Sequence, residues 1–494
     1  MSSHWKIGLK KTKNLLFLCA ENDVYKVFVV FLQGELNYRY SADKTYYLYT
    51  EMKRIVLCGF ALASCLMLGA QAWTLDECIK YALQNNVAIN KNRVTEETGK
   101  ATLKQNQAAL WPSVSFSTGH NMTYRPMEEG TARSDGGEVV VSSNKVTYNG
   151  SYGINMNWTV WNGGVNYKNV EQQKLQNEIS RLTTEASELT IQEQIVQLYV
   201  QIMYTREAVK VNEELLKVAE AQYNRGVQMQ KQGQMARADV IQLEAQLQNA
   251  RYDIVNSETQ VSNFKRQLKS LLQLDINSDF DVTGDIPGDE RPLELIPAAG
   301  AVYAHALTAR PEIESAQKSI ENAELQYDIA KRGYYPTVSV NASVSDAHNS
   351  NSAFTYGEQF KNNLGLGAGV SVSVPIWDAR KTRTAKEKAL LQKQSAELDL
   401  QDRKNALSST IEQYWLNASN GQQKFVAADT KAKSQNESYM LTDQQFRNGL
   451  KNVVDVLQSR SLVLQAAQDK LQSKYTTLLN MQLLKFYMGE RLDL

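Results

Sequence analysis

Apolar and polar residues alternate one by one in four segments of the chain, and longer stretches of helical periodicity flank them. The four segments are Ser113–Tyr124, Asn149–Trp161, 338–345 and Leu364–Val374. Strict alternation places apolar side chains on one face of a β-strand and polar side chains on the other. The pattern predicts two β-hairpins with one apolar face each, in a membrane barrel or in a soluble sheet.

Strand length and aromatic residues favour the membrane barrel. The segments run to about 11–13 residues, whereas globular strands are usually ~5–6 long and a tilted transmembrane strand needs ~9–11. The hairpin loops 125–147 and 346–363 are long and polar, like extracellular loops. Membrane barrels also carry aromatic girdles at both interfaces. Aromatic residues cluster near one strand end as Trp111, Trp158, Trp161, Tyr335 and Trp377, and near the other as Tyr124 and Tyr148.

The rest of the chain has the apolar spacing of amphipathic helices. Two stretches of about 66 residues, Tyr167–Gln232 and Arg383–Asn448, would each span roughly 100 Å at ~1.5 Å per residue. Shorter stretches of about 35 residues, enough for half that length, precede each hairpin and follow each long helix. They are Leu75–Leu110, Ala299–Arg332, Asp239–Leu274 and Asp455–Met488. We expect a long helical bundle in which two short helices are stacked beside each long one.

The same order of elements occurs twice. Trp111 corresponds to Tyr335 at an offset of 224 residues, and Gly233 corresponds to Gly449 at an offset of 216. The difference falls within the hairpin, where loops accept changes in length. We therefore divide the chain into a first repeat (73–274), a linker at mid-height of the bundle (275–298) and a second repeat (299–494).

The N-terminal region contains a secretory signal. Met52-Lys53-Arg54 precedes a short apolar run and the small residues Ala70-Gln71-Ala72, which predicts a signal peptide over 52–72. Residues 1–51 are predicted to be a misassigned start, with a genuine extension as the alternative. We expect cleavage after Ala72; the alternative is lipidation at Cys65. Cleavage after Ala72 would leave Cys78 as a lone thiol, most simply a buried one.

Composition excludes several classes of function. The chain has 54 Lys+Arg against 53 Asp+Glu, whereas nucleic-acid binders carry a concentrated basic excess. The four His and four Cys are scattered, so no metal site is predicted. The glycines of 365–369 lie within a predicted strand rather than at a strand-to-helix turn, so they do not form a phosphate loop. We therefore expect no enzyme activity, no cofactor and no nucleic-acid partner.

Four strands per chain predict an oligomer. Four strands cannot close, and an open sheet edge is not stable in lipid. Three chains would supply 12 strands, an even number wide enough for a lumen. The repeated order of helix, hairpin, very long helix, tip and return helix resembles the TolC-like outer membrane factors. The opening segment 73–86 (WTLDECIKYALQNN) and the tip segments 447–450 and 453–457 are also similar to that family, and the resemblance covers residues 73–494.

The resemblance implies a mixed α/β membrane protein. It would be a homotrimer with a 12-stranded outer-membrane barrel, continued by an α-helical periplasmic tunnel. The implied partners are a periplasmic adaptor (membrane fusion) protein, an inner-membrane RND or ABC transporter, and outer-membrane lipid. The implied function is that of an exit duct in a tripartite efflux pump or a type I secretion system. A structural or adhesive trimer that carries no solute is the alternative, and the cargo stays open because the transporter selects it.

The resemblance also assigns residues at the tunnel tip. A constriction would contain Asp455, with Lys451 where relatives carry Arg and Gln458 where they carry a second Asp. Phe446 replaces a tyrosine whose hydroxyl helps to latch the closed tip. Asp239 and Gln242 are the matching positions in the first repeat, and helix capping is the alternative role for both aspartates. The implied adaptor-docking tip comprises Gly233, Met235, Gly449 and Leu450, of which the glycines could serve only to turn the chain.

Overall fold

The computed structural model describes residues 72–127, 131–135, 138–142, 145–284 and 286–492. Residues 1–51, the predicted signal peptide up to residue 71 and Cys65 lie outside this part of the chain. The described part contains two copies of one arrangement, in which helices lead into a β-hairpin and two long helices follow it.

The first copy begins with a short strand and two helices, then forms its hairpin and its long helices. Its elements are β1 (Ala72–Trp73), α1 (Leu75–Asn85), α2 (Val87–Ala108), β2 (Ser113–Tyr124), β3 (Thr131–Asp135), β4 (Glu138–Ser142), β5 (Val146–Trp161), α3 (Val165–Lys231) and α4 (Arg237–Leu271). The helix α3 contains 67 residues and α4 contains 35, which confirms the predicted lengths.

The second copy, which follows the linker, repeats this order except that its hairpin loop contains a helix where the first copy has β3 and β4. The elements are β6 (Asp281–Val282), α5 (Ala299–Ala309), α6 (Pro311–Lys331), β7 (Thr337–Asn349), α7 (Tyr356–Asn363), β8 (Gly365–Ser373), α8 (Lys381–Arg447) and α9 (Val453–Tyr487). The helices α8 and α9 have the same lengths as α3 and α4, 67 and 35 residues.

The prediction of one continuous helix before each hairpin is wrong. In the first repeat, Asn86 has an extended backbone, and its side chain accepts hydrogen bonds from the backbone N–H groups of Ala88 and Ile89. It therefore caps the start of α2. In the second repeat, Arg310 is extended and Pro311 is the first residue of α6. Proline has no N–H to continue the preceding helix, so α5 ends before it.

The four long strands form one antiparallel sheet in the order β2-β5-β7-β8. Both predicted hairpins are present, and β5 pairs with β7 to join them. In this register Ser113 lies opposite Asn157, Asn157 opposite Asn341, and Asn341 opposite Gly369. Each face of the sheet therefore runs unbroken across both repeats, with β2 and β8 at its two edges.

The hairpin loops contain more regular structure than the sequence predicts. The first loop contains the small hairpin β3–β4, and the second contains the helix α7, which begins with a capping box between Thr355 and Glu358. The strand β7 also continues to Asn349 rather than ending near residue 345. The helix α7 forms because its capping box outweighs the polar composition of the loop, and β7 is longer than predicted because its last residues pair with β5.

The principal hydrophobic core joins helices of both repeats where the short helices meet the long ones. Ile191, Ile195 and Ile202 of α3 are buried there together with Ile411 of α8, so apolar residues at helical spacing in both long helices pack inside the bundle. Cys78 is fully buried in the same core, and burial raises the pKa of its thiol to about 12. The prediction of a buried thiol is therefore confirmed.

Ion pairs attach the linker to α9. The Lys470 ammonium lies 2.7 Å from one carboxylate oxygen of Asp289, and the Lys474 ammonium lies 3.1 Å from the other. Partial burial raises the pKa of Asp289, but hydrogen bonds from the two lysines outweigh that effect and hold the pKa below its ordinary value. The carboxylate is therefore the form that secures the linker.

This attachment predicts a dependence on pH. A carboxylate with a depressed pKa stabilises the folded state fully above its unfolded pKa, about 3.9, and the contribution is lost as pH falls through the folded pKa. Amide hydrogen exchange in 286–292, corrected for intrinsic rates, should stay slow at pH 5 and accelerate below about pH 4. Asp289→Asn should accelerate it at neutral pH, whereas Asp279→Asn should not. Equal exchange in both variants would contradict the role of Asp289.

Candidate functional site

Both helical tips turn at a glycine with a left-handed backbone. Gly233 has φ 74° and Gly449 has φ 71°. This conformation is unfavourable for any residue with a Cβ atom and is accessible to glycine. In the first tip the N–H of Gln234 donates to the carbonyl of Met229 at 2.9 Å, and in the second the N–H of Leu450 donates to Gln445 at 2.9 Å. This is the Schellman ending of a helix. The glycines therefore turn the chain in both repeats.

The second tip begins its return helix with a capping box. The Asn452 side chain accepts a hydrogen bond from the N–H of Asp455 at 2.9 Å, and the Asp455 carboxylate accepts one from the N–H of Asn452 at 3.3 Å. The Lys451 ammonium lies 3.9 Å from the same carboxylate. Asp455 therefore has the helix-capping role that was the predicted alternative, and the capping bonds fix this half-buried carboxylate at the start of α9.

The first tip lacks this device. Its N-cap position is Ala236, which has no side-chain oxygen to accept from the N–H groups at the start of α4. Asp239 is half-buried at the position that matches Asp455, and among the described residues its carboxylate has no capping partner like that of Asp455. The two tips therefore have the same turn, but only the second has side-chain hydrogen bonds that cap the helix after the turn.

This difference predicts the effect of Ala236→Asn. The new amide oxygen would accept from the N–H of Asp239, and the Asp239 carboxylate could accept from residue 236, completing the capping box. We expect a gain of about 1 kcal/mol at the start of α4. Amide exchange over 237–242 should slow severalfold, and Asn452→Ala should accelerate exchange over 453–458 by a similar factor. If neither variant changes the exchange rates, the tips are not controlled by these caps.

The remaining predicted tip residues differ in exposure. Leu450 is 75% exposed at the end of the second tip, and Lys451, Gln458 and Gln242 are also exposed. Phe446 is half-buried. Met235 is half-buried too, and its sulfur lies 3.3 Å from where a Cβ atom of Gly226 would be. Met235 therefore packs partly within its own hairpin, while Leu450 projects from the tip.

The predicted interface aromatics meet at one end of the sheet. The strand register brings Trp158 and Trp161 beside the starts of β2 and β7, and the Trp161 and Tyr335 rings pack edge to face with centroids 6.2 Å apart. The Trp158 indole N–H donates to the carbonyl of Leu110 at 2.9 Å. Trp377 is 85% exposed beside β8. These rings form a band at the end of the sheet where it joins the helices.

A family model described as "Outer membrane efflux protein" matches residues 78–273 and 302–490, which together make up more than half of the chain. The chain belongs to the outer membrane efflux protein family. The two matched segments lie within the two repeats and leave the linker between them. Membership confirms the predicted family, and with it an outer-membrane location that extends into the periplasm.

Solved structures support the same fold. The CmeC outer membrane channel of Campylobacter jejuni superposes with a TM-score of 0.68 and 18% identity, over 84% of this chain and 85% of CmeC. VceC of Vibrio cholerae superposes with a TM-score of 0.67 and 15% sequence identity, over 85% of this chain and 97% of VceC. The MtrE channel of Neisseria gonorrhoeae, in its open state, superposes with a TM-score of 0.65 and 17% sequence identity, over 85% of this chain and 89% of MtrE.

One curated relative is similar over part of its length. AprF, the alkaline protease secretion protein of Pseudomonas aeruginosa, is 22% identical over 184 residues, which is 37% of this chain and 37% of AprF. CmeC and MtrE are described as channels and AprF as a secretion protein, and none of these relatives is described as an enzyme. Among the described residues, no helix combines the length and apolar character needed to cross a membrane.

Two contacts between the repeats near the tips were not predicted. The Gln222 side-chain amide of α3 donates a hydrogen bond to the Tyr439 hydroxyl of α8 at 2.8 Å. The guanidinium of Arg460 in α9 donates to the carbonyl of Leu215 in α3 at 2.7 Å. Both bonds cross from the first repeat to the second, so they hold the two helical hairpins of one chain together above the tips.

Arg460 is a buried cation. It is only 4% exposed, and its second terminal nitrogen has no hydrogen-bond partner among the described residues. Burial lowers the pKa of its guanidinium. A cavity of about 70 Å³ beside it is lined by Asn212, Gln246 and Asp253 among others. Burying a charge is costly, so the cost of burying the guanidinium offsets part of the stabilisation from its bond to Leu215.

The sequence contained only a weak signal for Arg460. The matching position in the first repeat is Glu244, so comparison of the repeats shows a charge at this place in both copies. That Arg460 is buried and Glu244 exposed depends on which helix faces the other repeat. Periodicity within one helix does not contain that information.

Proposed function

We propose that the chain is one third of a homotrimeric outer-membrane channel, the exit duct of a tripartite efflux pump or a type I secretion system. The observation that carries the proposal is the sheet β2-β5-β7-β8, whose edges at β2 and β8 are unpaired among the described residues. Open edges are not stable in lipid, so β2 of one copy pairs with β8 of the next. Three copies supply 12 strands, an even number that can enclose a lumen.

The two faces of the sheet support this arrangement. Phe116 and Leu366 belong to the apolar face and are exposed in the single chain, which suits contact with lipid. The opposite face carries small and polar residues, such as Ser343 opposite Gly367, which suits a water-filled lumen. Helices of 67 residues then extend the duct by roughly 100 Å into the periplasm.

The constriction lies at the tips in this proposal. Three Asp455 carboxylates around the threefold axis form a ring that repels anions and holds cations. Asp239 is the candidate for a second ring. A periplasmic adaptor docks on the tips around Gly233, Met235, Gly449 and Leu450, and an RND or ABC transporter of the inner membrane supplies the energy. The duct itself uses no cofactor.

The mass and the single-channel conductance of the detergent-extracted protein test this function. We expect a trimer with a small conductance that favours cations, and loss of export when the gene is deleted. A structural or adhesive stalk would instead form a trimer that conducts no ions, even when both Asp239 and Asp455 are replaced by Asn. A monomer in mild detergent would also contradict the proposal, because four strands cannot close.

A further inference from the structure

A cluster of histidine and aromatic side chains lies on the apolar face of the sheet, at the end that is remote from the long helices α3 and α8. His120, Gly150 and His348 lie in one row across β2, β5 and β7. A Cβ atom on Gly150 would collide with the His348 ring. The glycine therefore provides the space in which the imidazole of His348 lies over the central strand.

Four aromatic rings surround His348. Tyr148 and Tyr152 of β5 have centroids 5.5 and 5.7 Å from its ring, and Tyr356 and Phe360 of α7 have centroids 5.1 and 5.9 Å away. Tyr356 is 53% exposed and Phe360 is 41% exposed. We call His120, His348 and these four aromatic residues the rim cluster. It is buried at its base and presents aromatic surface outward.

The base of the rim cluster contains polar atoms without partners. His348 is 7% exposed, yet its Nδ1 has no hydrogen bond among the described residues, and neither does Oδ1 of Asp346 two residues earlier on the same face. His120, by contrast, has both nitrogens engaged, with the Tyr148 hydroxyl at 2.7 Å and the Thr118 hydroxyl at 3.2 Å. A buried polar atom without a hydrogen bond is unfavourable, so a water molecule or a polar ligand group that reached these two atoms would stabilise the rim cluster.

The position of the rim cluster identifies the kind of ligand. Val338 begins the apolar face of β7 near the aromatic band, and His348 lies ten positions later. At ~3.3 Å per residue and a strand tilt of about 40°, this distance is about 25 Å along the membrane normal. That is the height of the apolar band of a membrane barrel. The rim cluster therefore lies at the level of the outer-leaflet headgroups.

We propose that the rim cluster binds the phosphorylated saccharide headgroup of an outer-leaflet glycolipid, an inference that rests on the barrel proposed above. The exposed rings of Tyr356 and Phe360 stack on the C–H faces of a sugar ring, and the half-buried carboxylate of Asp346 accepts hydrogen bonds from its hydroxyl groups. His348 packs against both rings of α7 and holds them in place. Lys145 and Lys361 are exposed at the same end of the sheet and attract the phosphate groups. A phospholipid headgroup has no sugar ring to stack on these aromatic residues.

Native mass spectrometry of the full-length trimer tests the proposal. The probe is the purified bisphosphorylated, acylated glucosamine disaccharide that anchors lipopolysaccharide, with phosphatidylglycerol as competitor. We expect Tyr356→Ala and His348→Leu to weaken glycolipid binding at least fivefold. Tyr334→Ala is the matched control, because it removes an exposed tyrosine at the opposite end of the sheet and should leave binding unchanged.

Two results would overturn the proposal: equal binding by all three variants, or phosphatidylglycerol competing as well as the glycolipid. If His348→Leu does not fold, Tyr356→Ala and Lys361→Glu decide the matter, since both residues are exposed. A conducting trimer without a preference for the glycolipid would refute only this inference. Absence of a trimer or of conductance would instead count against the channel itself.

Discussion

Asp455→Asn should raise the single-channel conductance and weaken block by multivalent cations by at least tenfold. A trivalent cation at the threefold axis would interact with three carboxylates at once, and a tenfold change corresponds to only about 1.4 kcal/mol. The substitution is well matched, because the Asn amide oxygen can still accept the N–H of Asn452 that Asp455 accepts at 3.3 Å. The start of α9 should therefore persist while the charge is lost.

Gln458→Asp is the opposite test of the same prediction. Gln458 is exposed one helical turn after Asp455, so a carboxylate there would add a second acidic ring. Cation block should become stronger, and anion conductance should fall. Planar-bilayer recordings of both variants, with Asn452→Ala as the control for loss of the cap alone, would separate charge from helix capping. Block that is unchanged in both charge variants would remove Asp455 from the constriction.

Gly421→Leu should destabilise the second repeat by about 1–3 kcal/mol or more, because it overpacks a helix interface. Gly421 is buried in α8, where a Cβ atom would lie 2.6 Å from the Thr477 hydroxyl and 3.5 Å from the Thr477 Cα of α9. The hydroxyl could rotate away, but the backbone of α9 could not. The two helices would have to separate over several turns to admit a larger side chain.

Thermal unfolding followed by circular dichroism in detergent measures this effect. Gly300→Leu is the matched control, since no atom lies within 4 Å of a Cβ placed on Gly300, and its unfolding temperature should change little. Gly421→Ala should fall between the control and Gly421→Leu. Equal unfolding temperatures for the two leucine variants would mean that α8 and α9 are not held at the close distance described.

The periodicity of the sequence predicted the long elements because their side-chain patterns are local. The 67-residue helices α3 and α8 and the strand β2 agree with the predicted segments to within a few residues. The breaks at Asn86 and Arg310 were missed, although the two repeats align there. One polar residue can cap a new helix or continue an old one, and periodicity does not distinguish these outcomes when the apolar stripe continues on both sides.

The sequence predicted the chain reversal at each tip but not the side-chain contacts near it. Gly233 and Gly449 adopt the left-handed conformation that the sequence suggested. The difference between Ala236 and Asn452 is visible in the sequence once the repeats are aligned, but the capping bond of Asp455 depends on backbone geometry at the helix start. The bonds from Gln222 to Tyr439 and from Arg460 to Leu215 join residues more than 200 positions apart, which no local pattern reveals.

The sequence by itself determined the duplicated order of elements, the lengths of the helices, the alternating faces of the strands and the family. Each of these follows from spacing within one segment or from comparison of two segments. The tertiary structure decided which charged residue of a matching pair is buried, as with Arg460 and Glu244, and that Gly150 admits the ring of His348. Those outcomes depend on how distant segments pack against one another, because burial is set by the partner surface rather than by the residue.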